Sequence, residues 1–423
     1  MKRRSFVQAS LALGAVGSFT GCASISGAIP SKAKVVVVGG GYGGATAAKY
    51  VRMLSDYAID VVLIEPNAAF ISCPLSNLVI GGTKSMDDIT SPYDKLGARH
   101  GVKLVKDMVA SIDPVKKTVT LASGPSIGYD KLVLSPGIEM MWDTVEGSQA
   151  ANASGQILQA WKAGPETLAL RKQLEAMPDG GVFAISIPEA PFRCPPGPYE
   201  RACQVAGYFK QAKPKSKVII LDANGDIISK PGLFKKAFAD MYGGIIEYRP
   251  NSKVVDVDMR TLTAKMELED FKADVLNVLP PMRAGGIAAP FITANKRWCE
   301  VNWLTYEAKN VPGVHLLGDS LQIAPGMPKS GHMANAHGKA CAAAVVALLS
   351  GEQPNPSPTL TNTCYSFVSA EKVVHVSSVH KYDEKDKTMK TVPGSGGLSG
   401  AANELEAQYA MTWAKNIWAD TLG

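Results

Sequence analysis

The chain has 423 residues, more than one ordinary domain holds, which points to two or three domains. Hydrophobic residues make up 46% and charged residues 19%, which excludes a disordered chain and fits a well-buried globular one. The formal charge of +6 falls to +3 if Lys2, Arg3 and Arg4 leave with a cleaved leader, and so mild a balance argues against nucleic acid as a partner.

The chain opens with a basic Met1 to Arg4, then a short apolar run of small residues from Phe6 to Phe19. That is the layout of a secretory signal over residues 1–30, and the run is too short to span a bilayer. Arg3-Arg4-Ser5-Phe6-Val7 resembles a twin-arginine signal, whose machinery exports folded proteins. Ser26-Gly27-Ala28 suits ordinary cleavage, the preferred route. Phe19-Thr20-Gly21-Cys22 is a looser match to a lipoprotein box, with Cys22 as the acylated residue and Phe19 in place of the usual aliphatic. No later stretch is long and apolar enough for a transmembrane helix, so the expected setting is the periplasm, where disulfides persist.

From Val35 to Val38 a continuous apolar run reads as a buried parallel strand, followed by glycines and a helix from Ala45 to Leu54. The next strand, Asp60 to Ile64, ends at Glu65, and short strand-like runs follow at 117–121 and 131–134. A second α/β unit starts near Gly181, with strands at 182–187 and 217–221 and a helix over about 199–210. Near 273–279 and 314–317 the chain is expected to return to strands of the first domain. A small-residue helix covers Ser330 to Leu349, and Pro354 to Pro358 reads as a linker. The C-terminal segment, 359–423, carries a Gly/Ser-rich loop (Pro393 to Gly400) and a closing helix with Trp413 and Trp418.

Gly39-x-Gly41-x-x-Gly44 after the strand, with Glu65 about 20 residues on, is a dinucleotide fingerprint in its required context. The glycines admit a pyrophosphate to the helix N-terminus, and Glu65 would accept from ribose hydroxyls. Far away, a strand runs into Gly318-Asp319 ahead of the small-residue helix, which is the second FAD motif of two-dinucleotide flavoproteins. Leu134-Ser135-Pro136-Gly137 stands where those proteins carry their interdomain motif, and Ala110 is counted with the cofactor-binding residues. The second unit breaks the pattern. After its first strand it has Arg193-Cys194-Pro195-Pro196-Gly197-Pro198-Tyr199-Glu200-Arg201 in place of glycines, and prolines lack the N–H groups that bind pyrophosphate. NAD(P)H is therefore an unsuitable reductant, although Asp222 still ends the next strand.

The expected fold class is α/β, with two Rossmann-like dinucleotide-binding domains plus a C-terminal interface domain. The FAD domain is discontinuous, over 31–146 and 285–354; 147–284 is a degenerate NAD-like domain and 355–423 the interface domain.

Ile64-Glu-Pro-Asn67, Cys73-Pro-Leu-Ser-Asn77 with Ile80-Gly-Gly82, Pro191 to Arg201, Pro325 to Ser330 and Asn362-Thr-Cys-Tyr-Ser366 are long and unusual strings. On these the chain resembles the flavoprotein subunit of flavocytochrome c sulfide dehydrogenase over essentially its whole mature length. The resemblance implies that Cys73 joins the FAD 8α-methyl as a thioether, and that Cys194 and Cys364 form a redox-active disulfide beside the flavin. It also implies an acidic residue near that disulfide, Glu200, and a tryptophan close to the site, Trp413. Hydrosulfide would attack one disulfide sulfur and displace the other as a thiolate, with Glu200 managing protons and Lys329 holding charge near the flavin. The electrons would leave for a c-type cytochrome in a separate subunit, since the chain has no Cys-x-x-Cys-His haem site, and the working unit would be a hetero-oligomer. A sulfide:quinone reductase and a non-turnover flavoprotein accessory of a sulfur-oxidation complex are the alternatives. Cys203, Cys299 and Cys341 are left as buried inert thiols; a Cys194–Cys203 bridge and a purely structural Cys194–Cys364 bridge stay open. His315, His332 and His337 have no persuasive metal-ligand spacing, and Trp413 and Trp418 also suit a subunit interface.

Overall fold

The structure, a computed structural model, describes residues 33–423, so the expected leader with Arg3, Arg4 and Cys22 lies outside the described residues.

Four consecutive valines make β1 (Lys34–Val38) the central strand of the first sheet, buried on both faces as a parallel strand between helices must be. It leads through the glycine turn into α1 (Tyr42–Leu54) and on to β2 (Asp60–Ile64), parallel to β1. A short helix, α2 (Ser76–Gly81), follows, and β3 (Lys103–Val105) closes one sheet edge beside β2. Then β4 (Val109–Asp113), β5 (Thr118–Leu121) and β6 (Ser126–Gly128) form a separate antiparallel sheet, before β7 (Lys131–Leu134) returns beside β1.

The second unit is a four-stranded parallel sheet. Its elements are β8 (Val182–Ile187), α3 (Gly197–Ala212), β9 (Lys217–Asp222), α4 (Pro231–Tyr242), β10 (Ile246–Arg249) and β11 (Val275–Val278), in spatial order β10–β9–β8–β11. This corrects one expectation. The 273–279 segment pairs with β8, not with the first sheet, because Phe183 to Ser186 offer it a fully buried parallel register. The return happens one segment later, where β12 (Glu307–Ala308) and β13 (Val311–Leu316) complete the six-stranded order β12–β13–β7–β1–β2–β3.

Next comes α5 (Gly331–Leu349), which crosses α1 so closely that a Cβ at Gly338 would press on the Gly43 carbonyl. The C-terminal segment is an antiparallel sheet of β14 (Thr359–Phe367), β15 (Val373–Asp383) and β16 (Thr388–Thr391), capped by α6 (Glu404–Leu422). The end of α6 is tied back to the first unit. Asp420 accepts from Tyr50 Oη (2.5 Å), Lys339 Nζ (2.8 Å) and Asn335 Nδ2 (2.9 Å), and Lys49 Nζ donates to the Asp420 carbonyl (3.0 Å).

A satellite apolar cluster fixes the geometry that matters for function. Leu75, Leu78 and Val79 around α2 bury against Phe367, Val373, Ala410 and Ala414 of the C-terminal segment. At about 1.5–3 kcal/mol for each fully buried large aliphatic or aromatic side chain, this contact holds the Cys73 loop against β14. No helix among the described residues is long and apolar enough to cross a membrane.

Candidate functional site

The glycine turn between β1 and α1 is built from backbone proximity. Gly39 has φ +95°, and a Cβ there would overlap the Ser135 carbonyl oxygen; a Cβ at Gly44 would overlap the Gly39 carbonyl. Gly41, by contrast, faces open space within 4 Å. Glu65, at the end of β2, accepts from Gly40 N (2.6 Å) and from Asn67 N (2.9 Å) and Nδ2 (2.6 Å). The acid thus closes the turn from the position that suits a ribose.

At the same end of β1 and its parallel neighbours lies a cavity of about 200 Å³. Gly41, Ser135, Gly137, Gly318 and Asp319 line it from the first unit, Cys194 and Glu200 from the second, Cys364 and Trp413 from the C-terminal segment, and Cys73 from the loop before α2. Eight of the sequence-predicted catalytic and cofactor residues beyond Gly41 therefore meet here. Gly39, Gly44 and Glu65 stand behind the turn, outside this lining. Ala110 is exposed on β4, on the separate antiparallel sheet, and does not line the cavity.

Lys329 also points elsewhere. Its Nζ donates to the carbonyls of Asp319 (2.9 Å) and Leu321 and lies 3.5 Å from the centre of the Trp298 ring. Burial pushes its ammonium down to about 7 despite nearby Asp319. The Lys329 carbonyl accepts from Cys194 N (2.8 Å).

Cys194 sits in a left-handed turn, φ +58°, just before α3. That helix begins Pro196-Gly197-Pro198, where a missing proline N–H costs nothing because first-turn N–H groups have no intrahelical partner. Burial pushes the Cys194 thiol up, and the neighbouring Glu200 and Cys364 push it further. In the first turn of α3, Glu200 Oε1 accepts from Phe367 N (2.7 Å) and Oε2 from Asn77 Nδ2 (2.9 Å). Asn77 is held in that orientation because its Oδ1 accepts from Arg201 Nε (3.0 Å). Arg201 in turn donates to Asn277 Oδ1 (2.7 Å) and the Ala160 carbonyl (2.7 Å), and burial lowers it to about 9. Burial raises the Glu200 carboxyl in spite of these donors.

Cys203, Cys299 and Cys341 are fully buried in the apolar core, outside the cavity lining. All six described cysteines stand as thiols. Trp413 lines the cavity beside His332, ring centres 5.8 Å apart, and Trp418 Nε1 donates to Tyr42 Oη (2.9 Å), so both tryptophans pack within the chain. His337 Nδ1 accepts from Gly318 N (3.3 Å), His332 Nδ1 from Thr363 N (3.0 Å), and His315 Nδ1 lies 2.7 Å from the Thr305 carbonyl. No cluster able to hold a metal exists among the described residues.

Several site residues carried no individual sequence signal. Burial opposes the charge of the Arg193 guanidinium, but its acidic neighbours Cys73, Asp319 and Cys194 hold it up. Asn77 and Asn362 sat inside the unusual strings without a role. Lys230, before α4, had no local pattern at all, and only the fold brings it to Cys364 and Ser366.

The donor set fits FAD. Asp319 Oδ1 and Arg193 Nε are buried without a hydrogen-bond partner among the described residues, and the Asp319 carboxyl is raised by burial. Two such orphans in one cavity call for a polar ligand that supplies a donor and an acceptor. A nicotinamide in the second unit is disfavoured by geometry as well as by sequence. Asp222, at the end of β9, is fully buried and taken by Tyr199 Oη (2.6 Å) and Tyr248 Oη (3.0 Å).

Three family descriptions match the chain. They are the pyridine nucleotide-disulphide oxidoreductases over 33–164, the central part of the sulfide dehydrogenase [flavocytochrome c] flavoprotein chain over 167–280, and the flavin-binding part of flavocytochrome c sulphide dehydrogenase over 356–422. A sulfide dehydrogenase [flavocytochrome c] flavoprotein chain from Chlorobaculum thiosulfatiphilum is 61% identical over 46 residues, 94% of that sequence and 11% of this one. The mitochondrial sulfide:quinone oxidoreductase of Mus musculus is 25% identical over 315 residues, 69% of this chain and 66% of the mouse protein, so just under two thirds of that relative is spanned. Among solved structures, the sulfide:quinone oxidoreductase of Aquifex aeolicus superposes with a TM-score of 0.73 at 18% identity, covering 92% of this chain and 91% of that one, which establishes a shared fold.

Proposed function

The chain belongs to the family of flavocytochrome c sulfide dehydrogenase flavoprotein chains, and on that footing we propose that it oxidises sulfide through a Cys194–Cys364 disulfide and passes the electrons to a separate c-type cytochrome. It is a flavoprotein oxidoreductase of the sulfide dehydrogenase and sulfide:quinone oxidoreductase type and binds FAD. The observation that carries the finer reading is the meeting of Cys73, Cys194 and Cys364, from three separate segments, around the orphaned Asp319 carboxylate.

Asp319, Ser135 and the Gly39–Gly44 turn would hold FAD, and Cys73 would bond its 8α-methyl as a thioether. When bound, FAD supplies an acceptor of electron pairs that can release electrons singly, which suits a haem partner. The rest falls to the chain's own side chains. Hydrosulfide attacks the disulfide and one cysteine leaves as a thiolate. Glu200, buried beside Cys194 with its carboxyl raised, is suited to hold a proton at Oε1 or Oε2 and give it up again. Asn77 and Arg201 keep that carboxyl in place. Apolar surface predominates around the cavity. Export through a twin-arginine signal into the periplasm belongs to the same reading, since a folded flavoprotein would need that route.

The experiment is anaerobic addition of sulfide to the purified holoprotein while the flavin band is followed, with cytochrome c or a quinone supplied afterwards. Bleaching by sulfide with recovery on cytochrome c is expected. Absence of bleaching refutes turnover and leaves the accessory role, and recovery on quinone alone selects the quinone reductase. Acid precipitation tests Cys73: the colour should stay in the pellet, and should move to the supernatant in Cys73→Ser.

A further inference from the structure

A second basic group stands at the proposed disulfide, and it is not Lys329. Lys230 is 4% exposed, and its Nζ donates to Ser366 Oγ (2.8 Å) and to the carbonyl of Cys364 (3.1 Å). No carboxylate pairs with it among the described residues. The titratable groups that act on it are Cys364, Glu200, Cys194 and Glu406. Both acids are already engaged, Glu200 by Phe367 N and Asn77, and Glu406 by Ser399 Oγ (2.5 Å) and His375 Nδ1 (2.9 Å). A buried ammonium without a counter-ion is costly unless an anion forms beside it.

The two thiols are surrounded differently. Cys364 Sγ lies 3.4 Å from Asn362 Nδ2. The Asn362 carbonyl oxygen is 3.6 Å from the same sulfur, but it already accepts from Ser330 Oγ (2.6 Å), which leaves the amide N–H free for Cys364. Cys194 has both the Glu200 carboxylate and the Arg193 guanidinium for neighbours, and burial disfavours its thiolate. Cys364 has an amide N–H at its sulfur and a lysine on its own carbonyl, whereas at Cys194 the Glu200 carboxylate opposes the Arg193 guanidinium, and this makes the pair asymmetric.

We propose that Lys230 is the buried counter-charge for a thiolate at Cys364, acting with the Asn362 amide, so that sulfide attacks Cys194 and Cys364 leaves. The inference rests on the proposed Cys194–Cys364 disulfide. In the step, HS⁻ forms a bond to Cys194 Sγ and the Sγ–Sγ bond breaks. Its electron pair stays on Cys364 as the thiolate, and the proton of HS⁻ stays on the new Cys194 persulfide. The sulfide sulfur is oxidised and the disulfide reduced, with no further reactant. Asn362 is the catalytic residue, because it touches the reacting sulfur. Lys230 is a positioning residue, acting through charge and the Cys364 carbonyl.

The test uses the oxidised holoprotein, one equivalent of sulfide under anaerobic conditions, rapid alkylation and peptide mass spectrometry. The extra sulfur is expected on the Cys194 peptide, with Cys364 alkylated bare. The reverse distribution overturns the assignment and leaves the disulfide reading intact. An oxidised holoprotein with no Cys194–Cys364 bond, or no persulfide on either peptide, overturns both. Lys230→Met supplies the second measurement. In the reduced holoprotein at neutral pH, Cys364 should alkylate about tenfold more slowly than in wild type, since the thiolate is the form that reacts. Lys230→Arg should restore the rate. An unchanged Cys364 rate in a Lys230→Met protein with a normal flavin band sinks the role of Lys230.

Discussion

Replacing Glu200 with glutamine keeps the side-chain shape but puts an N–H₂ group where an oxygen accepted a hydrogen bond. Phe367 N is fixed in the backbone, so the glutamine oxygen must face it and the amide nitrogen meets Asn77 Nδ2. Asn77 cannot turn over to help, because its oxygen accepts from Arg201 Nε, which can only donate. One buried donor stays unsatisfied, a cost of about 1–3 kcal/mol. Burial disfavours the Glu200 charge, and its removal offsets part of the loss, which sets the lower end of that range. Unfolding entropy of about 2.1 cal/mol/K per residue over 423 residues converts this to a fall in Tm of about 1–3 °C. The assay is thermal unfolding of the holoprotein, followed by flavin fluorescence and circular dichroism together. Adding Asn77→Asp to Glu200→Gln should recover most of the loss. The new carboxylate would accept from both the introduced amide and Arg201, while losing only the 3.1 Å bond that Asn77 makes to the Gly197 carbonyl. A single variant as stable as wild type, or a double variant less stable than the single, refutes the network.

Burial also gives Glu200 a pH signature. Its raised carboxyl keeps its proton to higher pH in the native state than in the unfolded chain, so its stabilising contribution is complete below the ordinary Glu value of about 4.3 and is lost as pH rises through the folded value. The Tm advantage of wild type over Glu200→Gln should narrow as pH rises from about 4, and a widening gap contradicts the assignment. Gly44→Ala drives a Cβ into the Gly39 carbonyl and should yield protein with little flavin absorbance per chain; full flavin content would show that the turn has slack. At Asp420, burial alone would raise the carboxyl, but its donors Lys339, Tyr50 and Asn335 more than compensate. Asp420→Ala should therefore cost about 2–3 kcal/mol and free the end of α6, read as faster proteolysis there; an unchanged cleavage pattern would locate the anchoring elsewhere.

What could be read from the sequence divides by range. The β1–turn–α1 unit, Glu65 and the Gly318-Asp319 turn were legible because local backbone demands fix their residue types. The strand at Val275–Val278 was assigned to the wrong sheet, since an apolar four-residue run fits either parallel sheet equally well. Cys194 stood out by the prolines beside it, and Cys364 through the resemblance of its string. The grouping of Lys230, Asn362 and Arg193 around them could not be read, because none of these side chains is dictated by its own segment. Lys230 comes from the entry to α4, and its partners lie on β14, more than a hundred residues later.

Cys194 and Cys364 stand 170 residues apart, in the second unit and the C-terminal sheet. A crosslink closing a loop of that length takes about 5 kcal/mol of conformational freedom from the unfolded chain. On the proposed mechanism, a bond that opens and closes with each turnover would make resistance to unfolding rise and fall with the substrate supply. Saturated with sulfide, the protein should be the more readily digested of its two redox forms, and the C-terminal segment the first part to be shed.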